Sequence, residues 1–131
     1  MTAEPAQPPA EGDLTISQVS REFGVTPRAL RFYEDEGLLM PHREGAVRRY
    51  SDRDRERLSW IVRGKSVGFS IAEIRELIAL REDGDGPRND WAEIIARCRA
   101  RIDQLTAQRW EIERTLMELG AAVALLGSGG L

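Results

Sequence analysis

Cysteine, histidine and lysine each occur once in this chain of 131 residues, as Cys98, His42 and Lys65. A single thiol excludes an internal disulfide. One thiol and one imidazole are also too small a set for a zinc site within one chain, so a metal would need ligands shared between two chains, and no cofactor is expected. No apolar run approaches the roughly 20 residues of a membrane-spanning helix. The first 13 residues, MTAEPAQPPAEGD, have neither the basic nor the apolar region of a secretion signal. They read as a disordered leader on a soluble, cytoplasmic protein. No nucleophile–base pair, metal set or phosphate-cradling glycine loop is present, which argues against an enzyme.

Arginine is abundant: all but one of the 19 basic residues are arginine, the side chain suited to forked contacts with phosphate and guanine, although genomic composition produces the same bias. The formal charge of −3 hides a gradient. Residues 14–81 hold 13 basic and 10 acidic side chains, whereas 82–131 hold six and nine, and the leader holds three acids and no base. The middle of the chain is therefore its cationic part.

Helical signals follow in close order. Thr15 to Gln18 is a capping-box pattern, after which Ile16, Val19 and Phe23 share a face until Gly24. Only Val25 separates that glycine from Thr26-Pro27, a second cap with proline in the first turn, and Gly37 closes this second helix. Two short helices across a tight turn have helix-turn-helix spacing. Leu30 packs inward, which turns the arginines outward. Residues 38–50, with Gly45 in a turn-like stretch, read as a small hairpin or wing. Ser51 caps a third helix with Asp52 and Asp54 in its first turn and Leu58, Ile61, Val62 and Val67 as its buried face. Ser70 to Glu73 is another capping box, opening a helix that buries Ile71, Ile74, Leu77 and Ile78 or Leu80.

Residues 82–89, EDGDGPRN, are a linker by composition. Across 90–126, Ile95, Cys98, Ile102, Leu105, Arg109, Ile112, Leu116, Leu119, Val123 and Leu126 follow 3-4 spacing. That is a coiled-coil seam of about five heptads, roughly 50 Å long. Nothing else in the chain covers it, so the long helix of a second copy is the economical partner. Cys98 at a seam position is most simply a small core residue. Residues 127–131 form a flexible tail.

Three blocks in order, LTISQVSREFGVTPRALRFYEDEGLLMP, RRYSDRDRERL and VGFSIAEIREL, resemble the DNA-binding domain of the MerR family of transcription regulators. The resemblance implies a mainly α fold: a winged helix-turn-helix head with a small β-wing, followed by a long C-terminal coiled-coil dimerisation helix that runs antiparallel to its partner. It implies a homodimer that binds a pseudo-palindromic promoter operator in double-stranded DNA. Each second helix enters a major groove, the wings grip the backbone, and the DNA is distorted so that RNA polymerase engages it. A two-headed clamp holding its reading helices at a fixed separation can drive such distortion.

Carried over residue by residue, Arg28, Arg31 and Tyr33 fall on the recognition helix, with guanine edges or phosphates as targets. Of the two adjacent rings, Phe32 is expected to be the one packed beneath the wing. Arg48 and Tyr50 match the wing's Arg-x-Tyr, with Arg43 and Arg49 as neighbours; Arg49 is equally readable as a solvated charge. Thr15 and Ser17 stand at a helix N-terminus able to hold a phosphate, and Lys65 is a further phosphate candidate. His42 is expected to be exposed in the wing. Ala46-Val47 departs from the Gly-Tyr common in the family's wing, and the cysteine clusters of its metal- and redox-sensing members are missing, leaving the effector unassigned. Trp60 is expected to help bury the third helix. Trp91 and Trp110, beside the seam, either pack or line a pocket against the partner's head. An architectural, excisionase-like DNA binder and a coiled-coil protein-interaction adaptor are the alternative readings.

Overall fold

The computed structural model describes residues 13–83 and 87–129. The expected leader up to residue 12, the centre of the expected linker and the last two residues of the expected tail lie outside the described residues. The elements run β1 (Leu14–Thr15), α1 (Ile16–Phe23), α2 (Pro27–Asp35), β2 (His42–Glu44), β3 (Val47–Tyr50), α3 (Asp52–Ser66), α4 (Ile71–Asp83) and α5 (Pro87–Gly127). Two units divide the chain, one ending at Glu82 and the other starting at Asp83.

Side-chain caps set the helix starts of the first unit. Thr15 Oγ1 accepts the Gln18 N–H at 3.2 Å while Gln18 Oε1 accepts the Thr15 N–H at 2.8 Å. Thr26 Oγ1 accepts the Ala29 N–H at 3.0 Å, with Pro27 behind it. Ser70 and Glu73 exchange bonds of 3.1 and 2.7 Å. Each cap satisfies backbone donors that have no partner within the helix. At the turn between α1 and α2, Gly24 takes φ +67°, a left-handed value that costs a side-chain-bearing residue steric strain.

The sheet contains a strand the sequence did not suggest. Its order is β1-β3-β2, all antiparallel, with Leu14 opposite Tyr50 and Thr15 opposite Arg49 on one side of β3. On the other side His42 faces Arg49, Arg43 faces Arg48 and Glu44 faces Val47. Gly45 and Ala46 close the hairpin, and the positive φ of +63° at the first of the two is what a type II′ turn requires.

Val19, Leu30, Leu38, Leu39, Tyr50, Leu58, Ile61, Ile74, Leu77 and Ile78 form the core, each large aliphatic side chain contributing about 1.5–3 kcal/mol on burial. Val67, expected in the buried face of α3, is instead exposed, because it follows the last helical residue and the chain turns there through Gly68 at φ +92°. Gly64 makes room for α4: a Cβ there would stand 2.8 Å from Ile74 Cγ1.

In the second unit α5 is 41 residues long, about 60 Å. It starts at Pro87, inside the expected linker, since proline fixes a helical φ at the first helical position, and α4 reaches Asp83 from the other side. It also runs into the expected tail, where the Ser128 N–H reaches Ala124 O at 3.2 Å. The seam residues Ile95, Cys98, Ile102, Leu105, Ile112, Leu116, Leu119, Val123 and Leu126 are exposed in the single chain, as are Trp91 and Trp110. No helix among the described residues is long and apolar enough to cross a membrane.

Candidate nucleic-acid interface

Helix α2 is amphipathic in an unusual sense: its inner side is made by Leu30 and Tyr33, and its outer side carries charge. Leu30 is fully buried and Tyr33 is 8 % exposed, three positions on and therefore on the same face. The packing of the two rings is the reverse of that expected. Phe32, expected to pack beneath the wing, is 48 % exposed, whereas Tyr33, expected to reach for DNA, is part of the core. The rings meet edge to face with centroids 5.7 Å apart. Arg28 and Arg31 are exposed on the outer side, and among the described residues neither has a hydrogen bond or an ion pair.

One carboxylate joins this helix to the wing. Glu34 accepts from Arg48 Nε at 2.9 Å through Oε1, and its Oε2 lies 3.6 Å from Arg43 Nη2. Arg43 and Arg48 are cross-strand neighbours, so a single acid gathers both strands of the hairpin onto α2. Arg49, on the opposite face of β3, pairs instead with Glu44 at 3.1 Å. Its cross-strand neighbour Thr15 brings the start of α1 beside the wing, with Ser17 exposed in the first turn. The capping box of α1 uses the Gln18 and Thr15 N–H groups and leaves those of Ile16 and Ser17 without helical partners. Lys65, exposed near the end of α3, is joined to this cluster by no hydrogen bond or ion pair among the described residues.

Tyr50 does not present itself to a ligand. Its ring is 1 % exposed, and its hydroxyl is buried without a hydrogen-bond partner among the described residues. Burial raises its pKa, and the nearby Glu34 carboxylate pushes it in the same direction. The Arg-x-Tyr of the wing thus splits into an ion-paired Arg48 and a core tyrosine, which corrects the expectation that both contact the DNA backbone.

Two acids whose partners the sequence left unassigned hold the arrangement together. Asp54 is 4 % exposed, and its carboxylate accepts from the Met40 N–H at 2.9 Å and the Ser51 N–H at 3.2 Å, tying the chain after α2 to the start of α3. The clue was available, since an acid at the third position of a capped helix can reach back to its cap. Glu34 left no such local signal, because its partners lie 14 residues away or nearby in the hairpin. Behind α2, Arg75 donates to Glu36 O at 2.7 Å, fixing the turn that ends the helix. Among the described residues no group of three His, Cys, Asp or Glu side chains could hold a metal ion.

A short helix held across a tight turn, with cationic side chains outward and a β-hairpin clasped to its side, defines a winged helix-turn-helix, a DNA-binding head. Sequence comparison makes this specific. The MerR HTH family regulatory protein profile matches residues 14–80, and the MerR, DNA binding profile matches 55–122. The HTH-type transcriptional regulator HmrR of Rhizobium leguminosarum bv. viciae is 35% identical over 107 residues, which is 81% of this chain and 83% of that one. HiNmlR, a MerR family regulator lacking the sensor domain and solved bound to promoter DNA, superposes with a TM-score of 0.61 at 26% identity, covering 88% of this chain and 91% of its own. A MerR family regulator from Bacillus cereus gives a TM-score of 0.67 at 28% identity, covering 86% and 81%. The chain belongs to the MerR family of DNA-binding transcription regulators. It is not an enzyme.

Proposed function

We propose that the chain works in the cytoplasm as a homodimer that binds a pseudo-palindromic promoter operator and distorts it, so that RNA polymerase engages the promoter. The observation that carries this reading is the outer face of α2, where Arg28 and Arg31 stand exposed, and unpaired among the described residues, opposite the buried Leu30 and Tyr33. Unpaired arginine is suited to guanine edges and phosphates, and neither residue is needed for the core. Arg43 and Arg48 reach the backbone from the wing, Arg49 and the open N–H groups at the start of α1 hold flanking phosphates, and Lys65 is a peripheral contact. Tyr33 and Tyr50 position these groups from within the core. The exposed seam of α5 supplies the dimer contact, its helices antiparallel, and Cys98 packs there as an apolar residue.

The test is to incubate the purified chain with fragmented genomic DNA and recover what binds. Enrichment of a small set of promoter fragments sharing a two-fold symmetric site is the expected result, with affinity that falls steeply as salt is raised. No affinity for duplex DNA at low salt would overturn it and favour a protein-binding adaptor. Binding spread evenly over the genome would favour an architectural DNA binder.

A further inference from the structure

Besides its two arginines, the outer face of α2 carries the Phe32 ring, which is 48 % exposed although its neighbour Tyr33 meets it edge to face. At about 100° per residue, Phe32 sits about 40° from Arg28 around the helix axis, with Asp35 about 20° and Arg31 about 60° to the other side. All four side chains are exposed. A phenyl ring forms no conventional hydrogen bond, so it serves neither a phosphate nor the polar edge of a base. The apolar group that a major groove displays on its base edges is the C5-methyl of thymine. Asp35 points the same way: a carboxylate is repelled by phosphates, yet it can accept from cytosine N4, so the middle of this face suits base edges and not the backbone.

The geometry points to Phe32 as a specificity-determining residue, its ring seated on a thymine methyl beside the group that Arg28 engages. This rests on the DNA-binding role proposed above. It assigns to the exposed ring a share in choosing the operator, beyond the arginine contacts.

Thymine and uracil differ only by that methyl, so the decisive change is made in the DNA. Bound duplexes are first selected from a random pool with the full chain. Each thymine of the selected site is then replaced by deoxyuridine in both half-sites, and affinities are measured for wild type, Phe32→Ala and Phe32→Leu. One thymine position should stand out, its replacement weakening wild-type binding by about fourfold per half-site, the equivalent of about 0.8 kcal/mol for one buried methyl. Phe32→Ala should bind the thymine and uracil duplexes equally, and Phe32→Leu, still apolar, should keep part of the discrimination. Because the ring is exposed, the variants should retain the wild-type helical circular dichroism. Equal wild-type affinity for every uracil duplex overturns the inference, as does a uracil penalty that survives in Phe32→Ala. Failure to select any duplex would overturn the DNA-binding reading and this inference with it.

Discussion

Glu34 occupies a position where its charge works against the purpose of its neighbours. Its carboxylate holds Arg48 and lies within reach of Arg43, so two of the wing's cations are partly neutralised before any phosphate arrives. Glu34→Gln should free them: affinity for random duplex rises several-fold, and the log–log salt dependence steepens by about 0.9 for each phosphate newly contacted. Preference for the selected site should shrink at the same time, since the wing loses its anchor to α2. Titrations at several salt concentrations read both effects, and an unchanged salt slope would mean the arginines were never masked. Arg31→Ala should behave differently, weakening binding to the selected site by about 1–3 kcal/mol if the guanidinium forks onto a base. An equal loss on random duplex would make Arg31 a backbone contact. The sequence left the two adjacent rings open to either assignment. Leu30 separates them, since Tyr33 shares its face and Phe32 does not.

At the level of helices and strands, local signals were legible and distant pairings were not. The caps at Thr15, Thr26, Ser51 and Ser70 and the stops at Gly24 and Gly37 act within a few residues, so they could be read directly. Strand β1 is two residues long and exists only because Tyr50 and Arg49 come alongside, which no short window reveals. Gly64 is similar: its smallness matters because Ile74 of the next helix leans on it. Gly64→Val should cost about 2 kcal/mol or more through overpacking, read as a lower chemical-denaturation midpoint with an unchanged slope. The end of α4 is latched to α3 by Glu82, which takes 2.6 and 2.9 Å contacts from Arg57 and Arg53. The Arg57 hydrogen bond is the chief reason its carboxyl falls from an ordinary 4.5 to about 2. A carboxyl depressed in the folded state stabilises fully above its unfolded value, and that stabilisation is lost as pH falls through the folded value. Stability should therefore decline between about pH 4.5 and 2 by on the order of 2 kcal/mol more in wild type than in Glu82→Gln, as followed by acid titration of the denaturation midpoint.

For the molecule as a whole, the question is what covers α5. A stripe of Ile112, Leu116, Leu119 and Val123 exposed along a single helix is unfavourable in water, and antiparallel pairing of two copies would bury it. Ile112→Asp with Leu116→Asp should leave a single-chain mass by light scattering at micromolar concentration and lower affinity for a two-fold operator at least about 100-fold. Retained dimer mass would place the seam elsewhere. The long helix was legible because its apolar pattern is long and regular. The limits of the helix were not, because Pro87 reads equally well as the end of a linker and the start of a helix.

Residues 14–81, from β1 to near the end of α4, carry a net excess of bases, whereas 82–131 carry a net excess of acids. In the field of a polyanion the basic segment is drawn in and the acidic segment is repelled. Both effects weaken with added electrolyte. The acidic segment thereby tempers the pull of the arginines, so that loose adhesion to any polyanion is weakened more than contacts made group by group.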